Sequence, residues 1–119
     1  MTIDAVQNLY NDYRSEPEYS VDYALNFFQK NTILFNSFNI FPNSNELQFY
    51  IHLCRNYLEA LYRKDRYNET ADNAIKFLRI IDSEIERLNS YSLKDDSYYG
   101  ILFFKKAFEY EAPPNIYLF

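Results

Sequence analysis

Few residues in this chain could do chemistry. His52 is the only imidazole and Cys54 the only thiol. Two residues apart, they fall on different sides of a helix, so the pair does not make a nucleophile and its base. A metal site needs three or four converging donors, and one histidine, one cysteine and scattered carboxylates do not supply them; neither a metal nor a cofactor is expected. Gly100 is the only glycine, which excludes the glycine-rich turns of phosphate-cradling loops and dinucleotide folds. Asp82, Glu84 and Glu86 alternate across a helix surface and read as a solvated face. Asp95 and Asp96 read as a helix cap before they read as an acid pair.

A more informative group is His52, Arg55, Glu59, Tyr62 and Arg63, which recur at three- and four-residue spacing on one helix face. Arginine captures carboxylates and carbonyls through its planar fork, and a neighbouring tyrosine adds rigid contact area. The group is read in one of two ways. It is either a partner-binding face or an ordinary solvated face carrying an Arg55–Glu59 pair at four-residue spacing.

Positioning that face requires helices, and the pattern supplies them. The 119 residues suffice for one domain, and 48% hydrophobic against 24% charged residues places the chain among foldable sequences. Ile3, Val6, Leu9, Tyr10 and Tyr13 mark a first amphipathic helix ending near Arg14. Ser15-Glu16-Pro17-Glu18 has the form of a capping box and opens a second helix running to about Lys30. Residues 31–41 fit a short helix slightly better than a strand. A long helix capped by Ser44 or Asn45 carries the candidate face and ends near Lys64, and a longer one spans Arg66 to about Asn89. The last helix runs over about 97–110. Gly100 lies within it, costs helix stability there, and is expected to permit close approach of a neighbouring helix. The chain is thus expected to be all-α, with about five helices, hairpins over about 3–30 and 46–89, and an extended tail at 111–119 that includes Ile116 to Phe119. A faint internal repeat, Ala24 to Phe28 against Ala74 to Leu78, suggests two stacked hairpins with the last helix covering the open end.

Within the second hairpin, Tyr57, Leu58, Leu61, Tyr67, Thr70 or Ala71, and Phe77 resemble the knitting positions of a tetratricopeptide repeat. The likeness covers about one repeat, residues 46–89. Asp65 stands where that family usually has a turn glycine, Ala74 where a large ring is frequent, and the second helix is longer than the family's. The resemblance implies that the face bearing His52, Arg55, Glu59, Tyr62 and Arg63 lines a concave groove for an extended peptide. A generic helical-hairpin bundle is the alternative fold.

Composition narrows the function class. A net charge of −5 lacks the basic footprint that nucleic acid or an anionic membrane requires. No apolar run is long enough to span a bilayer, and a lone cysteine fits a reducing cytoplasm. Thirteen tyrosines and eleven phenylalanines exceed what one small core readily hides, a surplus that suggests a surface meeting another chain or simply a compositional bias. The expectation is a non-catalytic module that binds a protein or peptide partner, a second copy of the chain included. A small acidic inhibitor or immunity protein that blocks one partner is the alternative, and an enzyme would have to act through carboxylates and tyrosines alone.

Overall fold

The computed structural model describes residues 4–111. The expected helix start at Ile3 and the expected extended tail from 112 onward lie outside those residues. The fold is all-α. Among the described residues there are six α-helices, α1 (Ala5–Arg14), α2 (Val21–Lys30), α3 (Thr32–Ser37), α4 (Ser44–Arg63), α5 (Tyr67–Leu88) and α6 (Asp96–Phe104), with 3-10 turns at Tyr91–Leu93 and Ala107–Glu111. No strand occurs among the described residues.

α4 is the central helix, in contact with α1, α2, α5 and α6. Its neighbour α5 follows after a three-residue link, so the two packed helices run antiparallel. Leu58, Leu61, Thr70, Ala71 and Phe77 are all buried between or beside them. The link turns through Asp65 at φ 58°, a left-handed conformation that aspartate tolerates better than most residues other than glycine. The Tyr67 hydroxyl donates to the Asp65 carboxylate at 2.7 Å, which ties this glycine-free turn to the start of α5. Asn89, also left-handed at φ 53°, closes the other end of α5.

Caps set the remaining boundaries, and one differs from expectation. Ser15 does not open α2; its hydroxyl donates back to the Asp12 carbonyl at the end of α1. α2 begins five residues later, where Ser20 Oγ accepts the Tyr23 amide at 3.0 Å, and residues 15–20 form a non-helical link. A proline-bearing segment satisfies the capping-box pattern equally well as a connector, because serine bonds local backbone at either end of a helix. Asn43 caps α4 through the Glu46 amide at 3.0 Å, and Asp95 caps α6 through the Ser97 and Tyr98 amides. The last helix ends at Phe104, earlier than its pattern suggests, and continues as a 3-10 turn.

Two buried carboxylates join elements distant in sequence. Glu46 on α4 accepts the Val6 and Gln7 amides at 3.1 and 3.0 Å, capping α1 from outside where Asp4 makes no side-chain cap. Glu84 corrects the reading of 82–86 as a solvated face. It is 3% exposed and accepts the Phe41 amide at 2.6 Å and two bonds from Arg87. Arg87 also donates to the Phe41 carbonyl at 2.5 Å, so the segment entering α4 is clamped to α5 at both backbone groups. Asp82 is engaged too, accepting the Tyr98 hydroxyl of α6 at 2.6 Å.

The two ends of the chain are arranged differently. α1 and α2 each lie along α4, and they meet through the Tyr13 ring against Tyr23, Phe27 and Phe28 near their link. The first pair is therefore spread over α4 rather than closed into a separate hairpin. α6 covers another face of α4 and also touches α5.

Candidate functional site

The face singled out by spacing lies beside α6. Arg55, Glu59, Tyr62 and Arg63 line one groove of about 420 Å³, whose other wall is Gly100, Phe103 and Phe104. Helical periodicity accounts for the grouping, since positions three, four, seven and eight apart share a face. Placement of α6 follows from a small residue. A Cβ at Gly100 would stand 2.9 Å from Arg55 Nε and 3.3 Å from its Cγ and Cδ. The missing side chain lets the Arg55 stem lie flat against α6, the close approach expected of that glycine.

His52 is drawn out of the group. It lies one turn nearer the start of α4, where its Nδ1 meets Ser97 Oγ at 2.9 Å and its ring faces Tyr10 at 6.1 Å. It ties α4 to α6 and does not line the groove. A Ser–His contact is the beginning of a nucleophilic site. Among the described residues, however, no carboxylate bonds the other ring nitrogen to orient it. Cys54 is fully buried, and burial pushes its thiol well above the ordinary value, so it stays protonated. No cluster of three metal-ligating side chains occurs among the described residues. No described helix is long and apolar enough to cross a membrane.

Charge and ring surface meet in the groove. The Glu59 carboxylate sits between Arg55 at 3.5 Å and Arg63 at 3.9 Å, two loose contacts in which neither guanidinium is fully committed. Tyr62 packs against Phe104 and Phe103 at 5.4 and 6.2 Å between ring centres, giving the groove an aromatic floor. Beyond it, Tyr99, Phe103 and Phe108 are each more than half exposed or half exposed (57%, 50% and 53%) and extend the apolar surface along α6 into the 3-10 turn. Gly100, Phe103 and Phe104 were not among the residues singled out by spacing on α4. The only sequence signal for them was the glycine inside an otherwise apolar helix.

A second cleft adjoins the first across Glu59. Formed by α1, the 15–20 link, α2 and α4, it has a volume of about 490 Å³ and is lined by three tyrosines, a proline and charged groups. Nothing in the spacing of α4 foretold it, because it depends on the link leaving the helical path at Ser15. Comparison with protein-family models, curated proteins and solved structures finds no match.

Proposed function

We propose that the protein is a non-catalytic interaction module that binds a protein or peptide partner in a reducing, cytoplasmic compartment, its α4–α5 hairpin being of tetratricopeptide type. What supports this reading is the meeting of Arg55, Glu59, Tyr62 and Arg63 with Phe103 and Phe104 in one groove that opens onto exposed aromatic rings. Interface cores favour aromatic residues and arginine, and an apolar floor flanked by loosely held charges combines contact area with orientation. The protonated, buried Cys54 supports a binding role over nucleophilic catalysis.

The test is position-specific photocrosslinking in the native cytoplasm, with the reactive group placed in turn at positions 63, 103 and 76. Lys76 lies on the α3 side of α5, where it bonds Asn36. One partner crosslinked from 63 and 103 and not from 76 is the expected result. Equal crosslinking from 76, or none from 63 and 103, would remove the groove from consideration.

A further inference from the structure

Among the described residues, one buried side-chain polar atom has no hydrogen-bond partner, the Tyr13 hydroxyl. Tyr13 is 3% exposed. Elsewhere the fold answers its buried polar groups: Glu46 receives two amides, Glu84 an amide and a guanidinium, and the Thr70 hydroxyl donates to the Arg66 carbonyl. Buried polar groups in folded proteins are nearly all satisfied, so an exception in a residue that lines a cleft points to a ligand there. Tyr13 lines the second cleft together with Arg14, Pro17, Tyr19, Tyr23 and the carboxylates of Glu16 and Glu59. The half-exposed Tyr19 phenol comes near without closing a hydrogen bond of normal geometry. Tyr23 is held in place by donating to the Tyr13 carbonyl at 2.8 Å. Burial, reinforced by the Tyr19 and Tyr23 phenols, keeps Tyr13 un-ionised, so it offers a donor at neutral pH.

The lining selects among ligand chemistries. A free anion is opposed by Glu16 and by Glu59, whose charge Arg55 and Arg63 answer only loosely at 3.5 and 3.9 Å, and a bare cation brings no acceptor for the buried hydroxyl and meets Arg14. A neutral carbonyl carried on an apolar frame answers the donor, and a positive charge beside it answers the two carboxylates. Polyproline II segments have this make-up: their carbonyls lack internal partners, their rings stack on aromatic walls, and their low entropy favours docking. We propose that the Tyr13 cleft binds a proline-containing basic peptide segment in the polyproline II conformation, the Tyr13 hydroxyl donating to a backbone carbonyl and Glu16 and Glu59 facing its Lys or Arg. The cleft and the α4–α6 groove share the Glu59 wall, but this site does not depend on that groove being used.

Fluorescence anisotropy with the full chain tests it, using a labelled ten-residue peptide rich in proline with one arginine, and a glycine–serine peptide of the same length and charge. The proline peptide is expected to bind at least about tenfold tighter. Tyr13→Phe, which removes the hydroxyl and keeps the ring, should weaken it roughly tenfold, and Phe103→Ala, which alters only the α4–α6 groove, should leave it unchanged. If Tyr13→Phe lowers the melting temperature, Tyr19→Ala at a half-exposed position must show the same loss of binding. Equal affinity for the two peptides, no binding of either, or full affinity in Tyr13→Phe would overturn the proposal and leave the hydroxyl to water. Loss in Phe103→Ala alone would place the peptide in the α4–α6 groove instead and overturn it equally.

Discussion

The two faces of α4 are built from the same kinds of residue to different ends. On one, Tyr50 and Tyr57 join Phe28, Phe35, Phe38, Phe41 and Phe77 in a network of ring contacts with centre separations of 4.8 to 6.4 Å. On the other, Arg55, Glu59 and Tyr62 meet α6 through a glycine, loose ion pairs and rings that stay partly open. Aromatic richness alone therefore does not separate core from contact surface. Enclosure does: the first set is sealed by α2, α3 and α5, whereas the second has α6 on one side and solvent on the other.

The sharpest way to break that contrast is to remove one ring from each face. Phe77→Ala should cost about 3–5 kcal/mol, because its buried ring touches Phe35, Tyr50 and Tyr57. Phe103→Ala, at a half-exposed position, should cost less than about 1.5 kcal/mol. Urea denaturation of both variants gives the comparison, and equal losses would mean that the α6 face is as much core as the other.

How much of this was legible follows from where the signals lie. Helix-period stripes such as Leu58, Leu61, Ala71, Ala74 and Leu78 recorded burial directly, so the all-α fold and the long α4 and α5 could be read from them. The four groove residues on α4 were legible because a single helix places them. Glu84 was not, since the partner that draws it inward, the Phe41 amide, lies 43 residues away. The same limit hid the opposite wall of the groove on α6 and the Tyr13 cleft. Local spacing cannot show which helix will cover a face or where a link will leave the helical path.

The buried carboxylate gives the next effect in size. Glu84→Ala would leave the Phe41 amide without its acceptor, at a cost of about 1–3 kcal/mol. The Arg87 guanidinium, and the Phe41 amide after it, hold the Glu84 carboxyl below its ordinary range. The folded state thus favours the charged form, so this contribution is present above the ordinary carboxylate pKa and is lost as pH falls through the lowered value. Glu69, lowered by Arg66 in an exposed pair, changes stability in the same direction but more weakly. Glu84→Gln should therefore flatten part of the acid limb of a stability–pH curve, and an unaltered limb would show that the clamp does not carry it.

A smaller effect sharpens the account of α6. Gly100→Ala gains about 1 kcal/mol of helix propensity, but its Cβ meets the Arg55 stem. The two effects should nearly cancel, leaving stability within about 1 kcal/mol of the parent. Removing Arg55 as well takes away the obstruction, so in an Arg55→Ala background the same glycine substitution should become stabilising by about 1 kcal/mol. A double-mutant cycle reads this coupling, and additive effects would mean that the glycine serves something other than room for Arg55.

The smallest effect on stability is expected at Arg63, and it bears most directly on the contrast between the faces. Its side chain is 57% exposed, and its contact with Glu59 is 3.9 Å long, a geometry in which an ion pair contributes less than about 0.5 kcal/mol. Arg63→Ala should leave the melting transition essentially in place. If the α4–α6 groove is a contact surface, the same substitution should weaken a crosslinked partner by about fivefold or more, because a guanidinium loosely held in the free protein is available to a partner's carboxylate or carbonyl. Phe77→Ala, compared at a temperature where it is still folded, should leave partner affinity nearly unchanged. Folding energy on one face and binding energy on the other would then be separable by mutation, and a loss of binding in Phe77→Ala as large as that in Arg63→Ala would show that they are not.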